Sequence, residues 1–449
     1  MTTISAPSRW RVIAWVVATI LVIWGIALSM LMRQPELSEQ SQQWLAKANQ
    51  STPSEQESMA FYLMLGFDAP SEASPQAYGE QRWRMHVDLA EEGMKLAKAS
   101  TWRFGLPCYV SMQECLPVID ANIDRINDVL TEKNAWLVRL QLLLTAEPPK
   151  APEQHIMDNV PFPKQQLSSA FELHLASVIS AAEKDPEQAF ADLNEHLEHL
   201  LVHLRGTNVT AYRSLLQRVL TVEMGWLVAY VQQRPEMLHA ATTNLTVLQQ
   251  QPELAASLEP VLDRNFALAV ATFDRIDSEG VSTALDWDLT VSELLQRIIW
   301  QRHATVNSLA QGYSDALQLM SGSQGLVPIV NAATSWPGLS STWSDRNLIG
   351  SALVQEKLEQ LSRLLKKSLM TEAYYRIAAA WLQAKGNQSQ LPEKLSLFGI
   401  DVPVLQRELE QRLCLDVPLL ESLDDFCLRL YQPGQIPEMA IPDDPPVAL

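Results

Sequence analysis

The sequence predicts a mainly α-helical protein: a single N-terminal transmembrane helix followed by an irregular helical bundle or α-solenoid. Three observations lead there. An uncharged, mostly apolar run extends from Val12 to Met32, between Arg11 and Arg33. Beyond it, Leu and Ile recur at three- and four-residue spacing in one segment after another, the period of a core-facing helical stripe. Proline-rich stretches punctuate those segments, and a ring without an amide proton stops a helix. Of the 449 residues 47% are hydrophobic, enough for a sizeable core, which excludes collagen-like and wholly disordered chains. The formal net charge of −18 argues against a general nucleic-acid binder, which needs cationic surface to neutralise phosphate, so no nucleic-acid partner is expected.

Residues 1–11 read as a short cytoplasmic N-terminus and residues 12–32 as the anchor. At 1.5 Å rise per residue the apolar run covers roughly 30 Å, the hydrocarbon thickness of a bilayer, where only a helix satisfies its own backbone. Trp10 suits one interface, beside Arg9 and Arg11, and Arg33 closes the other side. A cleaved signal peptide would have a shorter apolar region and a small-residue cleavage site, whereas this run holds Trp15 and Trp24 and ends Ser-Met-Leu-Met-Arg. A buried helix is the remaining alternative. The positive-inside rule puts the N-terminus in the cytoplasm. The body is then exported; in a bacterium this is the inner membrane with a periplasmic domain.

Residues 33–57 are polar and predict a flexible or partly helical stalk, interrupted at Trp44. The first helical region, 58–146, opens on an apolar patch from Met59 to Phe67 and contains a stripe of Ile119, Ile123, Ile126, Leu130, Leu137, Leu140 and Leu144. Residues 147–163 are a Pro-rich linker or loop. The main helical region, 164–431, contains a turn at Lys184-Asp185-Pro186, with Asp185 as N-cap and Pro186 at the first helical position. The apolar stretch Val219 to Val231 holds Glu223, which fits a buried helix better than a second membrane span. Further helices are expected over 260–276, within 282–320 and from 348 to 384. Leu-Val-Pro-Ile-Val at 326–330 reads as an extended segment or packed loop, Trp336 and Trp343 as packing residues, and a last short helix is expected from about Pro403. Residues 432–449 form an irregular tail. No tetratricopeptide or ankyrin pattern stands out.

Cys108 and Cys115 bracket six residues, and Cys414 and Cys427 bracket twelve. Local pairing, 108–115 and 414–427, would close two short loops, and an oxidising compartment would preserve the bridges. Buried free cysteines are the alternative; a four-cysteine zinc site lacks the tight spacing it needs.

The most specific polar spacing is Glu195-His196-Leu-Glu198-His199-Leu-Leu-Val-His203. Advancing about 100° per residue puts His196, His199 and His203 in a sector of about 60°, where neutral imidazoles could coordinate a transition metal. The ordinary explanation is a polar helix edge, and the pattern matches neither zinc-protease signature. No cofactor beyond such a metal is expected. The acidic pairs Glu91-Glu92, Asp424-Asp425 and Asp443-Asp444 define no catalytic dyad, since helical neighbours diverge by about 100°. Asp274 to Gly280 lacks the spacing of a calcium loop and reads as a helix end, and Gly322 to Gly325 lacks the flanks of a nucleotide loop.

These features predict a membrane-tethered scaffold or assembly factor whose partners are the lipid bilayer and another envelope or secretion-system protein. The alternative from a different class is a cell-envelope glycan or peptide hydrolase, which would need a cleft with a perturbed carboxylate or a convergent nucleophile and base.

Overall fold

The computed structural model describes residues 15–23, 34–50, 53–91, 119, 121–152, 162–250, 252, 254, 256–280, 299–321, 325–334, 347–407, 412–417 and 427–429. It is mainly helical, with one small antiparallel sheet. Among these residues no helix is long and apolar enough to cross a membrane. The described part of the apolar run, residues 15–23, is helical and open to its surroundings, with Trp15 75% and Leu21 65% exposed. Those nine residues rise only about 13 Å, less than half a hydrocarbon core. Arg9, Trp10, Arg11 and Arg33 lie outside the described residues.

The body begins with α1 (Glu39–Gln50), α2 (Glu55–Leu65) and α3 (Pro75–Glu91). Helix α1 occupies the segment expected as a stalk, yet its Trp44 is buried against Phe266 and Tyr313. One aromatic anchor is enough to dock an otherwise polar helix. Helix α2 starts in a capping box between Ser54 and Glu57. It meets α3 backbone to backbone: a Cβ on Gly79 would lie 1.8 Å from the Tyr62 carbonyl oxygen, and one on Gly66 1.8 Å from that of Pro75. Only glycine permits that approach.

The stripe from Ile119 to Leu144 divides at Lys133 into α4 (Ile123–Glu132) and α5 (Asn134–Thr145). The described start of the Pro-rich loop is pinned down, not free. Thr207 Oγ1 donates to the Pro149 carbonyl, and the Ala151 amide donates to Asn208 Oδ1.

Three helices follow on short connections, α6 (Lys164–Ala182), α7 (Pro186–Gly206) and α8 (Thr210–Gln233). Short connections make sequential helices antiparallel neighbours. Asp185 caps α7 as its sequence predicts, accepting from the Gln188 amide at 3.2 Å. Helix α8 is enclosed by protein, and every residue from Val219 to Val231 except Thr221 is buried. After α9 (Leu238–Asn244) come α10 (Glu259–Glu279), α11 (Arg302–Met320), α12 (Leu326–Thr334) and α13 (Leu348–Gln383). Helix α13 runs about 54 Å and packs against α8, α11, α12 and the sheet. Asp274 to Gly280 is the end of α10: Asp277 accepts from Trp300 Nε1, Asp274 pairs with Arg302, and Gly280 stops the helix at φ 88°. Residues 322–324 and both Trp336 and Trp343 lie outside the described residues.

Two local expectations are corrected. Leu326 to Val330 is helical rather than extended. Pro328 lies in the first turn, where its missing amide proton costs nothing, and Leu326, Ile329, Val330 and Ala333 are buried at helical spacing. The last element is a sheet, not a short helix from Pro403. Strands β1 (Lys394–Leu397), β2 (Ile400–Arg407), β3 (Arg412–Leu415) and β4 (Cys427–Arg429) pair antiparallel in that order. Phe398 and Gly399, at φ 54° and 74°, make the two-residue hairpin between β1 and β2. Pro403 sits opposite Lys394 at the end of the β1 ladder, where a missing donor is tolerated.

Cys414 and Cys427 face each other across β3 and β4 and are joined by a disulfide. Closing a loop of this size restricts the unfolded chain by an entropy equivalent to about 3 kcal/mol. Cys108 and Cys115 lie outside the described residues, as do Glu92, Asp424, Asp425, Asp443 and Asp444.

Candidate functional site

Helices α6, α7 and α8 each contribute one ionisable side chain to a common point in the core. His174 comes from α6, His196 from α7 and Glu223 from α8, and one ligand-type atom from each lies within 4.8 Å of the other two. His196 Nε2 is 3.0 Å from Glu223 Oε1. The His174 and His196 rings stack at 3.8 Å between centroids and 16° between planes, and Phe171 meets His196 edge-on. His196 and Glu223 are buried, while His174 is half-buried at the margin.

The chemistry of the cluster follows from its burial. Desolvation lowers His174 to about 3, with a smaller push from His196 and a pull the other way from Glu223. Desolvation also lowers His196 to about 3, aided by His199, and raises Glu223 to about 8 against an opposing effect of His174. The surroundings therefore disfavour a charge on any of the three. Two of their polar atoms, His174 Nδ1 and Glu223 Oε2, are buried with no hydrogen-bond partner among the described residues. Such atoms are rare in folded proteins, because each forfeits its hydration without compensation.

Of the histidines singled out by spacing, only His196 enters this cluster. His199 faces the surface, with its Nε2 3.6 Å from Glu195 Oε1. His203 is buried elsewhere, with Nδ1 3.1 Å from the Tyr212 hydroxyl and Nε2 3.1 Å from the Ala146 carbonyl oxygen. The three share an angular sector, but seven residues separate the first and last by about 10 Å along the axis, too far for one ion with bonds near 2 Å. His174 and Glu223 escape a reading of α7 alone. The available signal was Glu223, the one acid in the apolar stretch from Val219 to Val231.

His203 has an acid-side consequence. Burial lowers it from 6.5 to about 4, partly offset by the Ala146 carbonyl. Above pH 6.5 folded and unfolded chains both hold it neutral; between 6.5 and 4 only the unfolded chain takes up the proton. Stability is therefore lost as pH falls through that window. His174 and His196 act in the same sense. Glu223 acts in the opposite sense, stabilising below its unfolded value of 4.5 and losing that contribution as pH rises towards 8. Three histidines outweigh one carboxyl, so urea midpoints measured from pH 7 to 4.5 should fall steadily. A flat profile would contradict the buried, neutral state of these rings.

Compared with known protein families, curated proteins and solved structures, the chain matches none. The fold and the site define it only as a mainly helical protein with a buried His–His–Glu cluster.

Proposed function

We propose that this protein is a membrane-tethered helical scaffold or assembly factor. In this reading its N-terminus is cytoplasmic, its body lies in the periplasm of a bacterial inner membrane, and it binds another envelope or secretion-system protein. The observation that supports the reading is how the chain passes from the apolar run into the body. The run ends at Met32, and Gln34 is already bonded to α11, its side-chain Oε1 accepting from the His303 amide. The Pro35 carbonyl oxygen lies 3.0 Å from His303 Nδ1, Asn307 Nδ2 donates to the Glu36 carbonyl, and the Ser38 amide donates to Asn307 Oδ1. Two residues reach at most about 7 Å. The tether is therefore short, and it holds the body against the bilayer rather than letting it range on a stalk.

The contiguous exposed apolar side chains of residues 15–23 suit lipid. The Cys414–Cys427 disulfide accords with an oxidising compartment. For the hydrolase alternative, Glu223 is the carboxyl that burial raises most clearly, but at 3% exposure it is closed off from a polymeric substrate.

The test has two arms. After an alkaline carbonate wash the full chain should stay with the membranes and leave only with detergent, and a chain lacking residues 1–33 should be soluble. Capture from gently solubilised membranes should then return one stoichiometric envelope partner. Release by carbonate alone would overturn the tether; reproducible substrate turnover without a partner would overturn the scaffold.

A further inference from the structure

We propose that His174, His196 and Glu223 form a binding site for a transition-metal ion of the zinc class, clamping α6, α7 and α8 together. The donor set is two imidazole nitrogens and one carboxylate, a set that suits zinc and leaves a fourth position for water. The protein groups alone leave these donor atoms under-satisfied. Among the described residues, His174 Nδ1 and Glu223 Oε2 are buried without a partner, while His196 Nε2 and Glu223 Oε1 are engaged with each other. A divalent ion satisfies such atoms together, which no protein group among the described residues does.

The spacing is within reach of one ion. Ligand atoms of a tetrahedral zinc centre with bonds of about 2.0–2.1 Å lie roughly 3.3 Å apart. Here they lie within 4.8 Å of one another, with His196 Nε2 and Glu223 Oε1 already at 3.0 Å, so an ion would mainly draw the remaining donor inward by an ångström or so. The stacked rings hold their in-plane lone pairs side by side, and one ring must turn to face a shared ion. His174 has that room, because it sits at the half-buried margin while His196 and Glu223 are enclosed. The same margin is the route by which an ion and its water would enter. Metal binding takes the carboxylate and neutral imidazole forms, so affinity would fall at acid pH.

The site is independent of the proposed scaffold role and of membrane attachment. The full chain, purified in detergent without a polyhistidine tag, should retain or take up one zinc ion per molecule by elemental analysis. Zinc should raise its thermal midpoint. Zinc-edge X-ray absorption should show nitrogen and oxygen neighbours, including imidazole, and no sulfur. In H174A, the variant at the half-buried margin, affinity should fall by more than the 10–100-fold typical of losing an outer-shell partner. In E223Q the same loss is expected, whereas H199A should bind as the unaltered chain does. Should E223Q fail to fold, the absorption spectrum of the unaltered chain and the H174A titration still decide the matter. Absence of stoichiometric zinc, a sulfur neighbour, or affinity unchanged in H174A would each overturn the site. Unchanged affinity would point to an ion held elsewhere; absence would leave a hydrated polar cluster.

Discussion

Replacing Arg213 with Met should lower the stability of the body by about 4 kcal/mol, among the largest effects of any single substitution in this chain. Arg213 is fully buried, and burial lowers it to about 9, yet among the described residues no carboxylate is a hydrogen-bond partner. Its guanidinium donates instead to the carbonyl oxygens of Leu204, Leu254 and Ser257 and to the Ser257 hydroxyl. These acceptors belong to the end of α7 and to the segment leading into α10, so one planar fork closes the junction from which α8 starts. Met matches the stem in size but supplies no donor. The buried Leu204 carbonyl and the part-buried Ser257 carbonyl then lose the guanidinium as donor, at about 1–3 kcal/mol each, while the Leu254 carbonyl keeps only the Ser257 hydroxyl. Lys should recover only part of the loss, since a single ammonium cannot reach acceptors spread around a fork. Denaturant midpoints of the three proteins measure this directly. A Met variant within 1 kcal/mol of the unaltered protein would show that water fills the junction.

Trp44→Ala should release the N-terminal segment while leaving the rest of the body folded. Trp44 is only 6% exposed and lies 5.2 Å from the Phe266 ring and 5.7 Å from that of Tyr313. Its Nε1 donates to Ser314 Oγ at 2.8 Å. On the same helix Lys47 pairs with Glu259 and with Asp263. Truncating such a residue costs about 3–5 kcal/mol. Trp44 is the main anchor of helix α1: the only other side chain described as buried on it is Ser41, bonded to Asn307, and Leu45 and Ala48 are half-buried against the core. The loss should therefore fall on local docking. Hydrogen exchange should become fast over residues 34–50, with protection in α8 and α13 unchanged, and the chain should stay attached to membranes. Under the proposed function this variant would convert a short tether into a long one, separating attachment from positioning. Retained protection over 39–50 would mean that the hydrogen bonds to Asn307 and His303 suffice.

The helices could be read from the sequence wherever local signals agreed. Asp185-Pro186 fixed a helix start, Gly280 a helix end, and the periodic segment from Leu348 onwards the longest helix, because capping and amphipathic spacing act within a few residues. The sheet is hard to read from the sequence because Leu395, Leu397, Ile400, Val402 and Val404 form short alternating runs that also fit a helical edge. Their turn, Phe398-Gly399, is not among the most familiar hairpin pairs. Polar composition predicts a flexible or partly helical stalk over 33–57; the burial of one tryptophan by residues more than two hundred positions away docks its helix on the body instead.

By itself the sequence determined that the chain is mainly helical, that Cys414 and Cys427 are close enough to pair, and that an apolar run precedes an acidic body. These depend on composition, period and short loops, which neighbouring residues specify. Only the tertiary structure decided which histidines meet. His196 and His199 are three positions apart and face different surroundings, whereas His174, His196 and Glu223 come from three helices and share one enclosed space. Helical spacing sets a direction around one axis; the packing of several axes sets which side chains share a volume from which water is excluded.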